Sequence, residues 1–354
     1  IGYANPFLPE RIELEKKALG KAFVYFQPFL QYRPDCSVSD MFPNATALRH
    51  RSEQLLEKMR EKLIAHEPAT ERELEVYETL AIYQLYARYM STILDLPAVR
   101  FRNRPEDDIL DCYDAFTADY QRFLELPERR FPSNLDRDVI FAGLFQVERA
   151  FFHIFRHIIG ASLSAARLRA AIWQSVFTHN MRRYLSALHR FMGDIPTLIT
   201  GPSGTGKELV AQSIAYSRFV EFDSKKRQFV TNYADSFVGL NLTAISPTLI
   251  ESELFGHAKG AFTDAKTERH GYLDESKCSR WGTVFLDEIG ELDPQIQVKL
   301  LRVLQNREFQ RVGDPHTRRF VGKIIAATNR DLAAEMESGR FREDFYYRLC
   351  ADRI

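Results

Sequence analysis

Gly201-Pro202-Ser203-Gly204-Thr205-Gly206-Lys207-Glu208 stands directly behind the apolar run Thr197-Leu198-Ile199-Thr200 and ahead of a helix-like stretch with Leu209, Val210, Ala211 and Ile214 on its apolar side. The spacing G-x-x-x-x-G-K fits a strand, a phosphate-cradling loop and a helix. Backbone N–H groups of the loop surround a β-phosphate, Lys207 reaches the β/γ oxygens, and the helix offers its positive N-terminal end. Two Gly and a Lys at that spacing arise by chance on the order of 0.1 times in a chain of this length, so a second element has to agree.

It lies in Gly282-Thr283-Val284-Phe285-Leu286-Asp287-Glu288-Ile289, with Asp287 eighty positions past Lys207. A buried strand there delivers two carboxylates to its C-terminal end, the edge at which α/β sheets hold ligands. Asp287 is suited to holding Mg²⁺ through its water shell, and Glu288 to polarising a water for attack on a γ-phosphate. The pair of elements makes a nucleotide site, with ATP and Mg²⁺ as its expected occupants.

At 354 residues the chain has the length of two domains, and its 45% hydrophobic content with balanced charge describes a folded protein, neither disordered nor fibrous. Residues 1–158 carry 21 basic and 25 acidic side chains and the remainder 27 and 23, a difference too small to indicate nucleic acid. Cys36, Cys112, Cys278 and Cys350 show no C-x-x-C spacing, so neither a zinc site nor a disulfide framework is indicated, and a reducing cytoplasm is the expectation. No apolar run approaches the ~18 residues of a membrane span. The first residue is Ile1 and the last Ile354, which reads as a fragment of something longer.

Residues 1–158 read as an all-α N-terminal domain. Leu74, Tyr77, Leu80, Ala81, Leu85, Tyr89 and Ile93 form one apolar stripe, and breaks fall near Pro68, Pro97, Pro105, Pro127 and Pro132. His153 and His157 share a helix face, but the stretch lacks the Glu of H-E-x-x-H and a third ligand, so packed histidines are expected. From residue 159 to 354 helices alternate with short apolar strands at Thr197–Thr200, 237–242, 283–286 and 323–327, the pattern of a mostly parallel sheet covered by helices. Ser246-Pro247 and Asp293-Pro294 each pair a capping residue with Pro at the first helical position. The second helix continues with Ile296, Leu300 and Leu304 on its sheet-facing side.

From roughly Gly160 onward these motifs resemble the enhancer-binding activators of sigma-54 RNA polymerase, a branch of the AAA+ ATPases. The most telling piece is Glu251-Ser252-Glu253-Leu254-Phe255-Gly256-His257 followed by Gly260-Ala261-Phe262-Thr263-Asp264-Ala265. In the family this segment is a loop inserted into a helix, and its tip touches the sigma factor. By itself, Phe262 between small and polar residues reads as an exposed aromatic on a flexible stalk, suited to gripping a partner. Asp264 replaces the usual Gly of the loop. Glu208 stands where the general phosphate loop has Ser or Thr for Mg²⁺, and the family resembled here commonly has Glu there.

The resemblance implies roles for further residues. Asn241 would hydrogen-bond Glu288 and switch it with nucleotide state, and Thr328 and Asn329 would form the first sensor of the γ-phosphate. Arg342 and Arg348, in Phe341–Leu349, would be arginine fingers entering a neighbouring subunit's site, which implies a ring, with a hexamer as the expected form. The small lid with the second sensor would begin where this chain stops, and DNA would be reached only through a C-terminal domain not in this chain. The implied fold is an AAA+ P-loop core with a mostly parallel sheet, preceded by the helical residues 1–158, which could sense a ligand, restrain ring assembly or simply pack. The implied function is an ATPase that remodels sigma-54 holoenzyme. A motor of the same build on another protein, or a slow nucleotide-gated assembly module, are the alternatives.

Overall fold

The computed structural model describes residues 5–26, 43–95, 107–133, 135–231, 237–263, 265–274 and 278–354. The expected breaks at Pro97 and Pro105, together with Cys36 and the loop residue Asp264, lie outside them. The chain divides into two compact units, one comprising Ile1–His189 and Phe219–Val230, the other Arg190–Arg218 and Thr231–Ile354. This division falls later than the change of pattern near residue 158, because two further helices and a short hairpin bury their aromatic side chains in the helical unit.

That unit contains α1 (Glu10–Leu19), α2 (Ala45–Ile64), α3 (Glu71–Asp95), α4 (Asp107–Leu124), α5 (Arg137–His157), α6 (Leu163–Phe177) and α7 (Met181–Ser186). The α3 stripe is core: Tyr77, Ala81, Leu85, Tyr89 and Ile93 are buried, and Leu74 and Leu80 half-buried. Arg88 and the Tyr89 hydroxyl both bind Asp119 of α4, at 2.6 and 2.8 Å. Asp136 starts α5 by accepting from the N–H groups of Asp138 and Val139, satisfying donors that the first turn leaves open.

The hairpin pairs Phe222–Asp223 with Gln228–Phe229. Its Phe222 ring lies 4.8 Å from Tyr113 and 4.9 Å from Phe141, and its Phe229 ring 5.0 Å from Phe145. Arg227 closes the contact with an ion pair to Asp114 at 2.6 Å. His153 is buried, and its ring centroid lies 5.7 Å from that of His157. Burial, aided by His157, Arg149 and Arg156, pushes His153 down to about 2 and keeps it neutral. Among the described residues no group of three potential metal ligands exists.

The second unit is built on a five-stranded parallel sheet of β1 (Thr197–Thr200), β2 (Phe237–Asn241), β3 (Thr283–Asp287), β4 (Lys323–Thr328) and β5 (Asp352–Arg353), in the spatial order β5-β1-β4-β3-β2. The expected strands appear within one residue of their expected ends. The edge strand β5 had no signal, being two polar residues long. β3 and β4 are buried on both faces, so they read as unbroken apolar runs, as central parallel strands do.

Helices α8 (Lys207–Tyr216), α9 (Pro247–Phe255), α10 (Pro294–Asn306), α11 (Leu332–Glu337) and α12 (Glu343–Leu349) complete the unit. Val210, Ala211 and Ile214 of α8 are buried as expected, but Leu209 is 43% exposed, because it falls one position off their face. Ile296, Leu300 and Leu304 of α10 are all buried. Asp293 caps α10 through the N–H of Gln295, whereas the Ser246 hydroxyl pairs with Thr248 Oγ1 and leaves the start of α9 to Pro247. No helix among the described residues is long and apolar enough to cross a membrane.

Candidate functional site

Parallel register brings the sequence-derived residues to one edge of the sheet. Thr200 is level with Thr328, and Asn241 with Asp287, so the ends of β1, β4, β3 and β2 stand side by side. Three gaps of about 4.8 Å make this a row ~15 Å long, the span of a nucleotide's phosphates and its surroundings.

At one end of the row the loop 201–206 leaves β1. Its first N–H, from Gly201, donates to the carbonyl of Thr328 at 3.2 Å, which ties the loop to the end of β4. Gly204 and Gly206 have φ of 77° and 89°, and the left-handed turn at Gly206 feeds directly into α8. Thr205 Oγ1 donates to Pro202 O at 2.8 Å, bracing the loop across its mouth. Lys207 is 9% exposed, and its ammonium donates to the carbonyls of Gly201 and Pro202 at 3.1 and 3.2 Å. The cation thus lies within the curve of the loop. Ser203 is exposed. Glu208 is exposed on the first turn of α8 and accepts from Gln212.

Past the end of β3, Asp287 Oδ1 accepts the N–H of Glu288 at 3.1 Å. Glu288 itself is in the left-handed region, with φ 58° and ψ 49°, a conformation costing a non-glycine residue about 1–3 kcal/mol. This twist turns its carboxylate along the strand ends, where Oε2 accepts the N–H of Asn329 at 3.1 Å. Thr328 is fully buried, and its hydroxyl accepts the N–H of Arg330. Arg330 in turn pairs with Glu291 at 2.5 Å, linking the turns after β3 and β4.

Asn241 is not bonded to Glu288. Its Oδ1 accepts from the N–H and hydroxyl of Thr243 at 3.0 and 2.7 Å and starts the short turn that follows β2. Glu288 is instead held by the backbone of Asn329.

The two arginines differ. Arg342 is exposed and paired with Asp344 at 2.7 Å; this contact holds the guanidinium above its usual range and the Asp344 carboxyl below. Arg348 donates through Nε and Nη2 to the carbonyl of Leu304 at 3.1 and 3.0 Å, satisfying the C-terminal turn of α10. Gln297, which the sequence reading did not single out, accepts the Arg342 N–H at 2.9 Å and donates to the carbonyls of Leu292 and Arg340. In the sequence it reads as one more polar residue of an amphipathic helix, and its complete burial appears only in the fold.

The loop 258–268 springs from a base of two short antiparallel strands, Gly256–His257 and Arg269–His270. Gly256 has φ 81°, and a Cβ on Gly271 would lie 2.3 Å from Gly256 N, so the two legs touch backbone to backbone. Buried Arg311 braces the returning leg through Asp274 and His270, both at 2.7 Å. At the tip, Gly260 N–H donates to Ala265 O and Ala265 N–H to Phe262 O. Ala265 is buried, and Ala261 lies against Gly313; Thr263 is exposed. Phe262 is 41% exposed and meets His257 edge-on, with centroids 4.9 Å apart, so the aromatic does not stand clear of the protein.

The profile of the sigma-54 interaction domain matches residues 175–354, half of the chain. The chain belongs to the sigma-54 interaction domain family. It is 48% identical over 173 residues to the Nif-specific regulatory protein of Azotobacter vinelandii, a stretch covering 49% of this chain and 30% of that protein. It is 50% identical over 152 residues to the transcriptional regulatory protein ZraR of Escherichia coli (strain K12), covering 43% of this chain and 31% of that one. The chain therefore aligns with under a third of the length of these relatives. The crystal structure of NtrX from Brucella abortus in complex with ADP aligns with 70% of this chain and 47% of its own at 25% identity, with a TM-score of 0.42. The sigma-54 interaction domain accounts for the AAA+ P-loop core, its parallel sheet and the inserted loop of the second unit, and it follows an N-terminal helical region.

Proposed function

We propose that this chain is an ATP-hydrolysing module that remodels sigma-54 RNA polymerase holoenzyme as a hexameric ring. The observation that carries the reading is the single edge shared by the glycine loop with Lys207, the Asp287-Glu288 pair and the Thr328-Asn329 pair, with the Phe262 loop in the same unit.

In this reading the loop N–H groups and Lys207 bind the β- and γ-phosphates of ATP, with Lys207 exchanging its carbonyl partners for phosphate oxygens. Asp287 fits Mg²⁺: one oxygen is engaged by a backbone N–H, and Glu208 in place of Ser or Thr leaves the metal to waters, phosphates and this carboxylate. The metal, when bound, neutralises charge on the phosphates. Glu288 takes a proton from the attacking water, and Asn329 and Thr328 report the γ-phosphate. Asn241 would exchange Thr243 for Glu288 as nucleotide state changes. Arg342 leaves Asp344 to reach a neighbouring subunit's nucleotide, and Arg348 would follow it. Residues 1–158 are read as the regulatory or sensory part, 159–354 as the ATPase, in the cytoplasm, with DNA contacted by a separate C-terminal domain.

The test is co-sedimentation of the chain with purified sigma-54 in ADP and aluminium fluoride, which mimic the hydrolysis transition state, with Phe262→Ala as control. A complex that needs the nucleotide and is lost in the control supports the reading. An ATPase-active ring that ignores sigma-54 directs the motor to another protein, and absence of turnover leaves a nucleotide-gated assembly module.

A further inference from the structure

We propose that His257 is a positioning residue that sets the pose in which Phe262 is offered to the partner; this deepens the sigma-54 reading and rests on it. The imidazole connects α9 to two separate parts of the loop. Its Nδ1 lies 2.7 Å from Ser252 Oγ in α9, its Nε2 lies 3.1 Å from the carbonyl of Thr267 on the returning leg, and its ring meets the edge of Phe262 at an interplanar angle of 63°.

The chemistry of these partners decides the tautomer. A carbonyl only accepts, so Nε2 carries the proton, and in the neutral ring the bare Nδ1 accepts from the Ser252 hydroxyl. Bonds on opposite edges stop the ring from turning about its own axis. Only 8% of His257 is exposed, against 41% of Phe262, so a fixed, buried ring carries a half-exposed one. An aromatic tip with no such seat would sample many rotamers, and a partner would have to order it on binding. The same fixed ring links Phe262 to α9, so a shift of that helix is passed to the tip through one side chain.

Two measurements test the assignment, and one of them needs no partner. In a Phe262→Trp chain, an indole seated against the imidazole is shielded on that side from a diffusing quencher such as acrylamide. Adding His257→Ala should make its emission more readily quenched, above the contribution of Trp173 and Trp281. In the chain with Phe262 intact, His257→Ala should leave ATP turnover unchanged but lower capture of sigma-54 in ADP and aluminium fluoride about tenfold, on the scale of a lost ring contact and its supporting hydrogen bonds. Ser252→Ala, which frees one edge of the ring, should give a smaller loss in the same direction.

Quenching that ignores His257→Ala would overturn the seat, as would undiminished capture by that variant. If the quenching responds but the unmodified chain captures no sigma-54, His257 positions Phe262 and the partner reading fails.

Discussion

The carboxylate of Glu288, just past the end of β3, accepts the backbone N–H of Asn329 at the end of β4, 3.1 Å away. The two strands are neighbours, so a change in the turn after β4 moves the hydrogen-bond partner of the group proposed to activate water. The left-handed backbone of Glu288 makes this reach possible, and that strain is held by the sheet on one side and the Asp287 side chain on the other.

Glu288→Gln keeps the shape and an oxygen that still accepts the Asn329 N–H, but it cannot take a proton. The variant should bind ATP normally and hydrolyse it at least about 10²-fold more slowly, the usual contribution of a general base. Single-turnover hydrolysis alongside nucleotide binding checks this. Near-normal turnover would remove Glu288 from the mechanism.

Arg342 stands on the surface, where among the described residues its ion-pair partner is Asp344, and the backbone beneath it is held by Gln297. Arg342→Ala should therefore melt like the parent yet lose most of its ATPase, by about 10³-fold if it acts as a finger in trans. Mixed with Lys207→Ala subunits it should regain part of the activity, since in the proposed ring each defect lies on a different side of a subunit interface. No rescue at any mixing ratio would count against shared sites.

The parts of the site that could be read from sequence are those in which chemistry follows a buried strand. Asp287 and Thr328 end apolar runs, and Lys207 follows glycines that the turn requires. Gln297 and His257 were hidden, because each is a polar residue inside a stretch whose other features already had a meaning. The unit boundary was hidden for another reason. Phe222 and Phe229 lie among strand-and-helix sequence, and only their distance from Tyr113, Phe141 and Phe145 assigns them to the helical unit. The Asn241 amide illustrates a third limit, since a motif names a role while the local turn with Thr243 decides the partner.

Gly271→Ala should damage the Phe262 loop more than the candidate nucleotide site. The new Cβ would fall within 2.5 Å of backbone atoms of Gly256, Phe255 and Leu254, none of which can rotate away. Forcing the legs apart should cost about 1–3 kcal/mol, seen as a lower denaturation midpoint. Sigma-54 capture should fall with it while nucleotide affinity holds. An unchanged midpoint would mean that the legs are not packed as described.

Lys323 gives the second unit a pH-dependent stability. It opens β4 on the edge opposite the nucleotide site, 2% exposed, and its ammonium donates to Ile195 O at 2.6 Å. Burial, reinforced by Arg218 and Arg307 and opposed by Asp352, pushes it down to about 7. Below that pH the folded and unfolded chains both carry the proton, and the cost of the buried charge is fully present. Between about 7 and the usual lysine range the unfolded chain binds one proton more, so this group makes stability rise with pH, by at most about 1.4 kcal/mol per unit. Lys323→Met should remove that slope while losing the bond to Ile195 at every pH. Relative to its parent, the variant should therefore compare best near pH 7 and progressively worse toward pH 10, in denaturation followed at Trp281 with Trp173→Phe in both chains. Parallel stability curves would show that Lys323 keeps its proton when folded.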